Sequence, residues 1–423
     1  MVSGTLKALL GGLRPLALGL TFIAAGCISP VDYGDIRHAD YVANGRCDPA
    51  ATDISSAHST NGTNGETALA DKPFFVVTSR LPDCRNETVK LLKHRGDKVR
   101  YGRFGAPQDV LNDKGKVDDR RIPLAMSNET QWWTDLSRTM GNRDGRVLLY
   151  VHGYRETFLT SSRDAAQISR LTGFTGPVIQ YSWPSQGQLL KYAVDETNMY
   201  WDERNFRRFL TKLAQQEWTK EIVLVSHSLG ARLVLPAVEF VDRTASNGDS
   251  SVISNIILAS PDVDRQDFER DIAEEILSAR RVNNDRRITV YASAKDSALS
   301  LSHDVHGYPR LGNPRCFDPF KAAELKEKGL PERCYAAKSQ YDAPPEKSGL
   351  TIVDTTAVSQ GRVGHGDYLR SAVACKDFAA VVNGGRGAMN AREQTHLSYV
   401  FALAAPAKDE EPNHLTICRR DDE

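Results

Sequence analysis

Residues Glu221 to Arg232, EIVLVSHSLGAR, are the stretch of this chain whose residue types and spacing most directly specify chemistry. An apolar run from Ile222 to Val225 stops at Ser226. His227, Ser228, Leu229 and Gly230 follow, and then the helix-like ARLVLPAVEFV. The pattern is strand, sharp turn, helix, with a serine at the apex. A serine held on such a turn projects its hydroxyl clear of the sheet, where it can serve as a nucleophile. The residues two before and two after it crowd together, so only small side chains fit there, and Ser226 and Gly230 are small. The helix that follows aims its first N–H groups at the serine, where they can stabilise an oxyanion.

A serine hydroxyl needs a base, and the base needs an acid to fix its tautomer and stabilise its cation. The stretch resembles the nucleophile elbow of α/β-hydrolases, written Gly-x-Ser-x-Gly, with Ser226 standing for the first glycine. In that fold the order along the chain is serine, acid, histidine. Arg287 to Ser293 reads as a strand, and Asp296 follows it closely. Leu350 to Val353 reads as the last strand, and Gly364-His365-Gly366 lies in the loop beyond it. Flanking glycines suit a loop that brings an imidazole down onto the serine. Asp296 and His365 are therefore the favoured acid and base.

Each assignment has rivals. Asp262 and Asp264 also follow a strand and remain alternatives for the acid; Asp262 reads otherwise as a carboxylate balancing a helix start. His303 and His306 compete for the base. As a metal pair they lack a third ligand at a diagnostic spacing, and no metal or other cofactor is called for. His227 points away from the turn and is expected to be packed. An oxyanion hole needs a donor from a second loop, and Tyr150-Val151-His152-Gly153-Tyr154 supplies one at the end of another strand. The backbone N–H groups of Tyr154 and Leu229 are the two donors expected, with His152 structural.

The elements that must position these groups alternate from Arg146 onward. Strands are expected at Val147 to Val151, Pro177 to Trp183, Ile222 to Val225, Ser254 to Ala259, Ile288 to Ala292 and Leu350 to Val353. Helices are expected at Ser161 to Leu171, Asp202 to Gln215, after Ser228, at Gln266 to Ala279 and at Asp367 to Val382. Near-continuously apolar strands separated by helices mean a mostly parallel sheet covered on both faces. Upstream, Phe74 to Thr78 is a clear strand, with weaker ones around Lys98 to Phe104 and Arg121 to Ala125. Pro309 to Ser348 breaks the rhythm with six prolines, two cysteines and one charged helix over Lys321 to Lys328. It reads as an insertion before the last strand, a disulfide-pinned flap that shapes substrate choice.

Residues 146–370 resemble the bacterial α/β-hydrolase family long catalogued as a domain of unknown function. The resemblance rests on Val151-His152-Gly153-Tyr154, Tyr181-Ser182-Trp183-Pro184-Ser185, the Ser226 to Gly230 elbow, Ala259-Ser260-Pro261-Asp262-Val263-Asp264, and Gly364-His365. It implies an α/β-hydrolase fold with Ser228 as nucleophile and His365 as base, and leaves the acid and the substrate open. The reading is a serine hydrolase acting on small-molecule or lipid-like esters. An amidase, thioesterase or peptidase with the same residues, and a non-catalytic envelope scaffold, are the alternatives.

Composition sets the outer limits. Basic and acidic residues balance at 54 each, so no bulk charge points to nucleic acid. Residues 1–26 read as a lipoprotein-type signal peptide: Lys7 and Arg14, an apolar run from Leu16 to Ala25, then Ala24-Ala25-Gly26 before Cys27. The run is too short to span a bilayer. Residues 27–72 read as an irregular tether rich in Ser, Thr, Asn and Gly, and 73–423 as the hydrolase domain. Setting Cys27 aside leaves six cysteines, suited to an oxidising compartment. Their grouping suggests Cys47–Cys84, Cys316–Cys334 and Cys375–Cys418. The oligomeric state is not legible.

The expected location is the cell envelope, lipid-anchored at the periplasmic face of the outer membrane. If Cys27 carries the anchor, the protein fractionates with membranes, and Cys27→Ser releases it or leaves the signal uncleaved. Intact mass showing a mature chain without acyl groups would refute the anchor.

Overall fold

The computed structural model describes residues 47–48, 74–84, 89–105, 124–141, 144–244, 252–278, 286–336, 343–359, 363–384, 387 and 391–405. The signal segment, Cys27, nearly all of the 27–72 tether and Cys418 lie outside them.

Among the described residues one eleven-stranded sheet organises the chain, in the order β10-β11-β9-β8-β7-β6-β4-β5-β1-β2-β3. The strands are β1 (Phe74–Asp83), β2 (Lys90–Phe104), β3 (Leu124–Ser127), β4 (Arg146–Val151), β5 (Val178–Ser182), β6 (Glu221–His227), β7 (Ile253–Ala259), β8 (Arg287–Ala292), β9 (Leu350–Asp354), β10 (Arg392–Gln394) and β11 (Val400–Leu403). From β11 across to β1 every pairing is parallel. Antiparallel β2 and β3 close one edge and β10 the other.

Successive residues of a strand face opposite ways, and here both faces are buried. Val147, Leu149 and Val151 enter one core with Ile222 and Leu224, while Leu148 and Tyr150 enter the other with Val223 and Val225. The first core is roofed by α1 (Glu129–Met140), α3 (Tyr192–Ala214) and α4 (Ala231–Thr244), and the second by α2 (Phe158–Thr172) and α7 (Ala372–Val382). Between them in the chain lie α5 (Ser297–His306) and α6 (Pro319–Glu327). This is the doubly covered, mostly parallel sheet of the α/β-hydrolase fold.

The differences from expectation have physical causes. Helix α3 begins at Tyr192, nearly three turns before Asp202, because its inward positions there include Asp195, Asn198 and Asp202, whose polarity hides the apolar stripe. Helix α1 was not expected; its buried Trp132, Leu136 and Met140 fall four apart behind an Asn128 cap. The segment from Asp367 to Val382 is two helices, since Ser371 leaves helical geometry and caps α7. Strand β9 is not the last: β10 and β11 follow, and β11 pairs beside β9. Both are too short and weakly patterned to stand out in sequence.

Two disulfides join the expected partners, Cys47 to Cys84 with Cα atoms 5.9 Å apart and Cys316 to Cys334 at 4.7 Å. Cys375 is a disulfide cysteine as well, and its expected pairing with Cys418 lies outside the described residues.

Trp132 is fully buried, donates its indole N–H to the Gly102 carbonyl at 2.9 Å, and meets Phe75 edge-on at 5.5 Å. Trp132→Ala should cost roughly 3–5 kcal/mol of stability, read from denaturant unfolding. A loss under 1 kcal/mol would mean that α1 is a dispensable cover.

Candidate active site

The carboxyl ends of β4, β6, β7, β8 and β9 lie side by side, and parallel α/β sheets place ligands at that edge. The residues with left-handed backbone that are not glycine gather there too. Among the described residues they are Arg155 (φ 63°), Ser228 (φ 52°) and Ser260 (φ 44°), each just beyond β4, β6 or β7. Such conformations cost of order 1–3 kcal/mol each and persist where the surroundings over-determine them.

Ser228 opens a single 3-10 turn, Ser228–Gly230, that leads from β6 into α4. The backbone of β4 presses on this turn. A Cβ on Gly153 would sit 2.7 Å from Ser228 Cβ, and one on Gly230 would sit 2.5 Å from the His152 carbonyl oxygen. Glycine is required at both places by close approach. Ser226, standing where the usual pattern has glycine, is buried between Val151 and Leu258 on the neighbouring strands. The Ser228 carbonyl accepts from Asp262 N–H at 3.1 Å, fixing the elbow to the loop after β7.

Asp296 and His365 come together. His365 Nδ1 lies 2.8 Å from Asp296 Oδ2. The carboxylate is fully buried, and its other oxygen accepts from Leu299 N–H at 2.9 Å as the N-cap of α5. In the neutral ring this contact puts the proton on Nδ1 and leaves Nε2 as the acceptor. Nε2 is buried and has no hydrogen-bond partner among the described residues. Burial alone would lower the His365 pKa, but the Asp296 charge and hydrogen bond, helped by Asp262 and Glu156, outweigh it and raise it.

His227 is packed, as expected, and also makes a specific contact. Its Nε2 lies 3.0 Å from the His365 carbonyl, its ring is 4.8 Å from the His365 ring, and Tyr368 covers it. A carbonyl only accepts, so Nε2 carries the proton. Burial, with His365 beside it, holds the His227 pKa down to about 3. The neutral ring thus ties the serine turn to the histidine loop.

The rival residues have other occupations. Asp262 receives Arg310 Nε and Ser302 Oγ, both at 2.7 Å, with Arg232 Nη2 at 3.4 Å and the Tyr192 hydroxyl also bonded to it. Burial pushes its pKa up, but Arg232 and Arg310 together hold it at about 2. Asp264 caps the helical segment after it by accepting from Gln266 and Asp267 N–H groups. His303 stacks on Phe317 at 3.8 Å, and His306 Nε2 lies 3.0 Å from Glu196. His152 is fully buried, stacked on Trp183 at 4.9 Å, and its pKa is driven well down by burial and by Arg80.

Tyr154 follows Gly153 directly, and its hydroxyl donates to the carbonyls of Gln188, at 3.3 Å, and Leu189. Leu229 is fully buried in the elbow turn. Two residues at this edge escaped the sequence reading. Arg80 is buried at the end of β1, and Asp195 is buried on α3. An arginine three residues after the apolar run Phe74–Val77 was the available signal for the first. Nothing in the local sequence marks the second.

The profile of the family described as alpha/beta hydrolase of unknown function (DUF900) matches residues 126–381. No curated protein matches the chain. Among solved structures, the monoclinic form of a Pyrobaculum calidifontis esterase aligns at 13% identity with a TM-score of 0.30, covering 68% of this chain and 81% of that one.

The charges around Asp262 generate a prediction about stability. Asp262→Asn strands the buried Arg310 without its counter-ion, at a cost of roughly 3–5 kcal/mol. In the native chain the folded pKa of about 2 lies below the usual 3.8. The Asp262 contribution is therefore present above pH 3.8 and is lost as pH falls towards 2, on the order of 2 kcal/mol. Denaturant melts of both proteins across this range test it, since the variant should lack that part of the acid dependence.

Proposed function

The chain belongs to the family of α/β hydrolases of unknown function, and from that premise we propose that it is a serine hydrolase of carboxylic esters. Ser228 is the nucleophile, His365 the base and Asp296 the acid. The observation that carries the reading is the 2.8 Å contact from Asp296 to His365 Nδ1, which leaves Nε2 as a buried acceptor with no hydrogen-bond partner among the described residues, on a chain whose elbow serine has left-handed backbone. In the first step Ser228 Oγ bonds to the ester carbonyl carbon while His365 Nε2 takes the hydroxyl proton. The carbonyl electrons move to oxygen, where the N–H groups of Tyr154 and Leu229 receive the charge. His365 then returns the proton to the departing alkoxide as the acyl-enzyme forms. Water repeats the sequence, freeing the acid and the serine.

The envelope location belongs to the same proposal. A chain anchored through Cys27 would meet small-molecule or lipid-like esters at a membrane surface, and stable anchoring takes more than one acyl chain.

Labelling by a fluorophosphonate and turnover of a panel of simple esters test the chemistry. Ser228→Ala should abolish both while leaving the melt intact; near wild-type turnover would end the serine mechanism. Asp296→Asn should lose at least ~10³-fold in kcat, since it puts the proton of His365 on the wrong nitrogen. Because the His365 pKa is raised, kcat/KM should climb with pH through a value above the ordinary 6.5 of histidine. A profile flat from pH 6 to 9 would remove His365 as base.

A further inference from the structure

The Tyr181-Ser182-Trp183-Pro184-Ser185 motif and the buried Arg80 and Asp195 have no part in the chemistry just described, yet all three converge on one turn. The turn runs from His152 to Thr157, between the end of β4 and the start of α2, and carries Arg155 at φ 63°. Its backbone is held by groups from elsewhere in the chain. Trp183 Nε1 donates to the His152 carbonyl at 2.8 Å. The Arg155 N–H donates to Asp195 Oδ2 at 3.0 Å, the Glu156 N–H donates to Ser185 Oγ at 3.0 Å, and Arg80 Nη2 donates to the Glu156 carbonyl at 2.8 Å.

The holding groups are also bound to one another. Ser185 Oγ donates to Asp195 Oδ2 at 2.6 Å, and the other Asp195 oxygen accepts from Gln186 N–H at 2.6 Å. Arg80 donates to Ser182 Oγ at 2.9 Å and to the Ser185 carbonyl at 3.0 Å. Arg80, Ser185 and Asp195 are each at most 1% exposed. A buried cation above the turn and a buried anion beside it, joined through one serine, fix a backbone that would otherwise relax from its strained conformation.

We propose that Arg80, Ser185 and Asp195 are positioning residues for the oxyanion donor at Tyr154. The inference rests on the serine-hydrolase reading above and assigns it a support. The Tyr154 N–H lies between Gly153, which packs on Ser228, and Arg155, which Asp195 holds. Letting the Arg155 and Glu156 amides go rotates the peptide that presents this donor. A donor that meets the oxyanion only in the transition state affects kcat and leaves ground-state binding alone. Displacement of about 1 Å at such a group can cost 10²-fold.

Two variants test it on the full-length protein. Ser185→Ala removes the acceptor of the Glu156 N–H and the bridge to Asp195 with little change in volume, and Asp195→Asn is isosteric. Each should lower kcat roughly 10- to 100-fold with KM nearly unchanged. Affinity for an arylboronic acid, which forms a tetrahedral adduct on serine, should fall in parallel. Amide exchange at residues 154–156 should quicken while the strand amides keep their protection. Unchanged kcat and exchange in both variants would overturn the proposal, as would a rise in KM with kcat intact. Loss of the cooperative melt in both would make the network a core support and equally overturn it. If the wild-type protein is itself neither labelled nor active, the serine-hydrolase reading fails and the positioning role falls with it. A labelled, active wild type beside unaffected variants defeats the positioning role alone.

Discussion

Ser228 sits at φ 52° where β6 turns into α4, and much of the fold can be understood as what holds it there. An L-residue with a side chain resists that conformation. Three contacts over-determine it: the pressure of Gly153 from β4, the approach of Gly230 to the His152 carbonyl, and the Asp262 N–H on the Ser228 carbonyl. All three depend on β4, β6 and β7 ending level with one another, which the unbroken parallel register between them secures at that end. The sheet is thus the frame that holds the serine in its strained conformation at the carboxyl edge.

Two buried carboxylates flank the elbow, and their surroundings give them different work. Asp262 faces two guanidiniums and a tyrosine hydroxyl, and is held as a permanent anion that binds α3, α4 and the Arg310 segment together. Asp296 meets an amide N–H at the start of α5 and the His365 ring. A carboxylate saturated by arginines has little left to give an imidazole, whereas one held by a single backbone donor can orient a histidine and answer its charge. Environment, not distance along the chain from the serine, separates the two aspartates.

The parallel core was legible because its strands are buried on both faces and read as apolar runs. The elbow was legible because a serine between small residues, after such a run and before a helix, has few other readings. The glycines around His365 marked a loop, in which Gly364 adopts φ 66° against the backbone of Lys295 and Asp296. What stayed hidden was polar and inward. The first turns of α3 bury Asp195, Asn198 and Asp202, so periodicity lost the helix just where Asp195 holds the turn after β4. Arg80 belongs to a ten-residue strand that is buried throughout, and its partners lie about a hundred residues away in sequence. No local pattern encodes a contact of that range; only the register of β1 against β5 brings it about.

The insertion shows how one stretch of chain can be both frame and rim. Its first residues are not a flap. Leu311 and Gly312 exchange backbone hydrogen bonds with Pro261, Val263 and Ser293, and the Asn313 amide donates to the Asp296 carbonyl at 3.0 Å. Its far end is equally committed, since Tyr335 donates to Asp354 at 2.5 Å and the Ala336 carbonyl accepts from Tyr399 at 2.6 Å. Between these anchors the chain leaves the core: α6 buries only Leu325 and exposes 86% of Phe320. The Cys316–Cys334 bond closes that excursion at its neck, beside the bridge of Arg315 to Arg333. Closing a loop of this size limits the unfolded chain more than it stiffens the folded one. Any influence of the insertion on substrate choice must therefore act through the segment between the two cysteines, while residues 309–313 act on the site from within by holding the backbone of both aspartates.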